Sequence, residues 1–77
     1  MTPQLRAALA THAAPQDIVV DVNFSIEAFH ITYLQREGHI VRVERRRVYL
    51  DEVSPANIWA VARNYWVARV ALQTHPQ

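Results

Sequence analysis

Five arginines fall between positions 36 and 47: Arg36, Arg42, Arg45, Arg46 and Arg47, opposed only by Glu37 and Glu44. Guanidinium groups at that density suit phosphate oxygens, which they grip with charge-assisted, often paired hydrogen bonds. The whole chain has a formal charge of only +1, from eight basic residues, all arginine, and seven acidic ones. An all-arginine set is equally expected from a GC-rich genome. The clustering carries the inference, because a local basic patch is what contact with a polyanion requires.

Other chemistry finds little support. The chain has no cysteine, which excludes disulfides and thiolate zinc sites. His12, His30, His39 and His75 show no ligand spacing with one another or with acids, so neither a metal nor a cofactor is expected. Ser25 and Ser54 read as helix caps before they read as nucleophiles, and Asp51-Glu52 suits the start of a helix electrostatically. Nothing in the residue pattern points to catalysis.

Several elements must position the arginines. Thr2-Pro3 opens a first helix with a cap-then-proline device, and Leu5, Ala8, Leu9 and His12 form its apolar stripe. Pro15 ends it. Residues 17–24 have two readings. Val20, Val22, Phe24, Ile26 and Ala28 alternate with polar residues as in a strand, while a short helix from Asp17 to Val22 would turn a corner at Asn23. For residues 25–37 a helix is the better reading: Ser25 caps it, Phe24 staples onto its first turn, and Gly38 supplies a left-handed C-terminal residue. Ile26, Phe29, His30, Tyr33 and Leu34 then share one face.

Ile40, Val41 and Val43, and after them Val48, Tyr49 and Leu50, make a hairpin joined through Glu44-Arg45-Arg46-Arg47. Lacking Asn-Gly or Asp-Gly, this connection is expected to be long or irregular. Ser54-Pro55 opens a last helix running to about Thr74 and stopped by Pro76. Its residues Ile58, Trp59, Ala62, Tyr65, Trp66 and Val70 cover more than one face, which predicts a homodimer interface.

Seventy-seven residues make a single domain, 1–77, too small to bury much surface alone. The 51% apolar content excludes a disordered tail. No apolar run approaches the roughly 20 residues that span a bilayer, and the N-terminus is a poor signal peptide, so no membrane association and a cytoplasmic location are expected.

DIVVDVNFSIEAFHITYLQREGHI resembles the core of a helix-turn-helix, with Ile18, Val22 and Phe29 at buried positions, Phe24 in the turn and Ser25 starting the recognition helix. The following YLQREGHIVRVERRRVYL resembles the passage from such a helix into a wing, as in winged-helix regulators of phages and plasmids and small excisionase-like DNA-bending proteins. The resemblance covers about residues 15–52. Val19 stands where these proteins have a small residue, and Asn23 where they usually have Gly. It implies an α+β winged helix-turn-helix with a two-stranded wing and a long C-terminal helix. It also implies double-stranded DNA as partner, met by Ser25, Glu27, His30 and Arg36 on the helix and by Arg42, Arg45, Arg46 and Arg47 on the wing. The helix offers few base-reading side chains, so most affinity is expected from wing arginines on phosphates. The alternative is a protein-interaction module, such as a small inhibitor docking on a host protein without binding nucleic acid.

Overall fold

The alternation of Ile18, Val20 and Val22 resolves into a strand, not a helix. In the computed structural model, which describes residues 1–11 and 13–73, β1 spans Gln16–Val22 and buries those three side chains on one face. His12, Thr74, His75 and Pro76, on which the ends of both terminal helices were expected, lie outside the described residues. Around β1 the elements run α1 (Pro3–Thr11), β1, α2 (Ala28–Glu37), β2 (His39–Val43), β3 (Arg47–Val53), α3 (Pro55–Ala62) and β4 (Val67–Leu72). Among the described residues the fold is α+β, with three helices and one antiparallel sheet in the order β2-β3-β1-β4. From β1 onward this is the β-α-β-β-α-β order and split sheet of ferredoxin-like topologies, an arrangement that by itself assigns no activity.

One sheet face is covered. Ile18, Val20, Val22, Val48, Leu50 and Val70 project from it into a core completed by Leu34 of α2, Ile58 and Val61 of α3, and Leu5 of α1. The two longer crossover connections cover this face with helices, and α1 closes the β4 side, where the Thr2 N–H donates to the Val70 carbonyl at 2.9 Å. The other face carries Val19, Asp21, Tyr49, Asp51 and Ala71, all half-buried, with no helix of the described residues over them.

Both cap-then-proline openings form: Thr2 Oγ1 accepts from the Leu5 N–H and Ser54 Oγ from the Asn57 N–H, each at 3.3 Å. Helix α2 starts later than expected. Ser25 is an exposed loop residue, and Glu27 is the N-cap, its N–H donating to His30 Nδ1 at 2.8 Å. Asn23 does not adopt the left-handed corner; among the described residues other than glycine only Glu52, at φ 57°, does so. The corner implied by the resemblance to helix-turn-helix proteins is therefore a strand-to-helix connection, because β1 satisfies its backbone groups against strands on both sides.

The long C-terminal helix does not form. It ends at Ala62, where Asn64 Nδ2 donates to the carbonyls of Ala60 and Val61, and the chain returns as β4 beside β1. The apolar residues counted on several helix faces thus belong to two elements of one core. Ile58, Trp66 and Val70 lie inside that core and cannot form the expected dimer interface, Ala62 is half-buried, and only Trp59 and Tyr65 are exposed.

Gly38 ends α2 in extended backbone, φ −170°, so left-handed geometry is not its purpose. A Cβ there would lie 2.5 Å from Val53 Cγ2, and the close approach of α2's end to β3 needs the missing side chain. Gly38→Ala is expected to cost about 1–3 kcal/mol through this overlap, read as a lower midpoint in urea unfolding.

Candidate nucleic-acid interface

Three connections meet at one end of the sheet: residues 23–27 after β1, the β2–β3 turn, and residues 63–66 before β4. The Val22 N–H donates to the Arg46 carbonyl at 2.8 Å and the Ile26 N–H to the Arg45 carbonyl at 3.2 Å. From the other side Asn23 holds the third connection, its N–H donating to the Trp66 carbonyl and its Nδ2 to the Tyr65 carbonyl, both at 3.0 Å. Backbone groups that a loop would otherwise leave to water are satisfied between loops, which fixes the three as one surface.

The hairpin turn is tighter than expected. Glu44 and Arg47 face each other, the Glu44 N–H donating to the Arg47 carbonyl at 2.7 Å and the reverse bond stretched to 3.5 Å. Only Arg45 and Arg46 lie between them. Neither has positive φ, so the turn lacks the primed geometry that matches strand twist, and the unequal bonds are consistent with that mismatch.

The arginines differ in what they face. Arg47 is held by Asp21 (Nε to Oδ1 2.6 Å), a hydrogen bond that pushes its pKa above the already high arginine value. Arg42 pairs with Glu44 at 3.0 Å and lies over the Tyr49 ring, 4.2 Å from its centroid. Arg45, Arg46 and Arg63 are exposed and make no ion pair among the described residues. Arg69, opposite Asp21 on β4, is likewise exposed and unpaired while Arg47 occupies that carboxylate.

This end of the sheet therefore gathers six arginines, at 42, 45, 46, 47, 63 and 69, against Asp21, Glu27 and Glu44, a local excess of three positive charges. Asp17, Asp51 and Glu52 lie at the opposite end with Glu37, whose carbonyl accepts from Asn57 Nδ2. The strands thus separate charge along their length.

Of the residues expected to meet DNA, Arg42, Arg45, Arg46 and Arg47 are brought together here, with Ser25 and Glu27 exposed in the adjoining connection. Two are not available. Arg36 sits in the last turn of α2, at the acidic end where Gly38 meets Val53 and Asp51. His30 is fully buried, its ring packed on Phe29 (centroids 3.8 Å), Trp66 (4.8 Å) and Phe24 (5.5 Å). Because its Nδ1 accepts from the Glu27 N–H, its proton resides on Nε2, which has no hydrogen-bond partner among the described residues.

Sequence reasoning missed Arg63 and Arg69, which it placed in a helix, and the outward-facing positions of Phe24 and Phe29, which it read as a helix staple and a buried residue. Phe24 is 41% exposed, Phe29 52% and Tyr65 84%, all on this end. Phe29 is the one residue of the expected buried helix face that turns outward, since the helix starts at Ala28 and presents His30 to the core instead. No protein-family model matches this chain, and no curated protein or solved structure matches it either.

His30 supports the surface from beneath by closing the first turn of α2 and filling the space under Phe24 and Phe29. His30→Ala is expected to cost about 3 kcal/mol from the cavity and the lost cap together. At this chain length that is a drop of roughly 12–24 °C in Tm, measurable by calorimetry.

Proposed function

We propose that this protein binds nucleic acid through the arginine-bearing end of its sheet. The observation that carries the reading is the set of three arginines, Arg45, Arg46 and Arg63, that make no ion pair among the described residues and lie on connections hydrogen-bonded into one surface. Solvated guanidinium groups held side by side repel one another, and a row of phosphates opposite relieves that repulsion while releasing counterions. The acidic opposite end would orient the molecule as it approaches a polyanion.

Of the winged-helix layout, the helix followed by a basic-tipped hairpin supports the reading; the paired helix ahead of it has no counterpart. Contacts from Arg45 and Arg46 would fall on the backbone and position the protein without reading bases. A regulatory role, as in the phage and plasmid proteins the sequence resembles, is part of the same proposal.

The protein-docking alternative is favoured by Trp59, which is 40% exposed on α3 and not part of the arginine surface. The two readings separate by salt. Binding of labelled polynucleotide, titrated at several ionic strengths, is expected to weaken steeply with salt. Replacing Arg45, Arg46 and Arg63 together by Ala should reduce the log–log slope by about two to three. Wild-type protein that binds no polynucleotide even at low salt would leave the docking reading in its place.

A further inference from the structure

We infer that the polynucleotide taken by this surface is an unpaired strand, DNA or RNA, whose bases stack on Phe24, Phe29 and Tyr65 while its phosphates lie along Arg45, Arg46 and Arg63. The inference rests on the proposed function and names its substrate class. It starts from three exposed rings at the end of the sheet that carries three arginines without an ion pair among the described residues: Phe24 and Tyr65 on two of the joined connections, and Phe29 in the first turn of α2.

A duplex would have to be kinked and unstacked before its bases could lie on those rings. Its bases are already stacked on one another and present only their edges in the grooves, to be met by polar side chains from a helix or ribbon that projects. The hairpin tip is two residues long and bonded flush to residues 22 and 26 through the carbonyls of Arg46 and Arg45. The start of α2 offers Ala28 and Phe29 outward, and its arginine lies at the far end of the helix. An unpaired strand instead exposes the π face of every base, and aromatic side chains beside a cationic groove are the usual way proteins receive it.

The rings also lack another sufficient reason to face solvent. Phe24 packs on the buried His30 ring and Phe29 on His30 and edge-on against Trp66, each still about half exposed, and Tyr65, the most exposed, makes no ring contact among the described residues. Asn23 holds the Tyr65 main chain through its carbonyl, so the ring is carried on a fixed backbone. A base laid against it displaces water from an apolar face at little ordering cost to the protein.

The test is fluorescence anisotropy with labelled oligo(dT) and oligo(rU) of about 12 nucleotides and a mixed-sequence duplex of similar length. The proteins are wild type, Phe24→Ala, Tyr65→Ala, Tyr65→Trp and the triple arginine variant, each first shown to keep the wild-type thermal transition. Phe29 is left intact because it packs directly on His30. Single strands are expected to bind at least tenfold more tightly than the duplex. Phe24→Ala and Tyr65→Ala should each lose about tenfold on single strands with the salt slope unchanged, because stacking releases no counterions. Tyr65→Trp should retain affinity. Preference for oligo(dT) or oligo(rU) decides between DNA and RNA, and either result supports the inference.

Duplex binding as tight as single-strand binding, or single-strand affinity indifferent to both ring deletions, overturns the inference while leaving nucleic-acid binding standing. Absence of salt-sensitive binding to any of the three polymers overturns both. Should Phe24→Ala unfold the protein, Tyr65→Ala alone decides, since Tyr65 is 84% exposed and makes no ring contact among the described residues.

Discussion

Strand β1 is paired on both edges, and that double pairing governs the molecule. With β3 on one side and β4 on the other, its main-chain groups are satisfied only when both neighbours are in register. Its inward residues Ile18, Val20 and Val22 then face the helices as a continuous apolar row. The requirement reaches far along the chain: β4 must break away from what would otherwise be a long apolar helix, and Asn64 makes that break by capping Ala60 and Val61. It also requires that β3 and β4, which flank β1 in parallel, be joined by a crossover, which α3 supplies.

Charge separation follows from the same geometry. Asp21 lies opposite Arg47 on one side and Arg69 on the other, so one carboxylate is flanked by two guanidinium groups. It neutralises one of them. Beyond this row lie the turns with Arg45, Arg46 and Arg63, where no further carboxylate pairs with an arginine among the described residues except Glu44 with Arg42. The excess of positive charge is thus placed by strand register and left uncompensated by loop composition. Exposed ion pairs contribute little to stability, so arrangements of this kind are free to serve binding.

Two residues show how local preference and tertiary demand interact. Gly38 looks like a helix terminator, and it does end α2, but its backbone is extended and its lack of a side chain serves contact with Val53. His30 looks like an exposed reading residue at helical spacing and is instead buried, closing the helix start with Nδ1 and leaving Nε2 unsatisfied among aromatic rings. A buried donor without an acceptor costs about 1–3 kcal/mol. The surrounding ring packing must offset it.

Local chemistry determined several features from the sequence by itself. The Thr2-Pro3 and Ser54-Pro55 helix starts, the helix ending at Gly38, and the hairpin that pairs residues 40–43 with 48–50 all depend on capping, fixed φ or alternation within a few residues. The arginine run at 45–47 was likewise visible as a local charge density, and it does lie at one end of the sheet. Only the tertiary structure could decide whether residues 17–22 were helix or strand, and where the apolar run after Ser54 divides. Alternating and all-round apolar patterns each satisfy more than one secondary structure, and the choice depends on partners distant in sequence. The same holds for the addition of Arg63, Arg69 and Tyr65 to the basic surface, because β4 joins the others only through its pairing with β1.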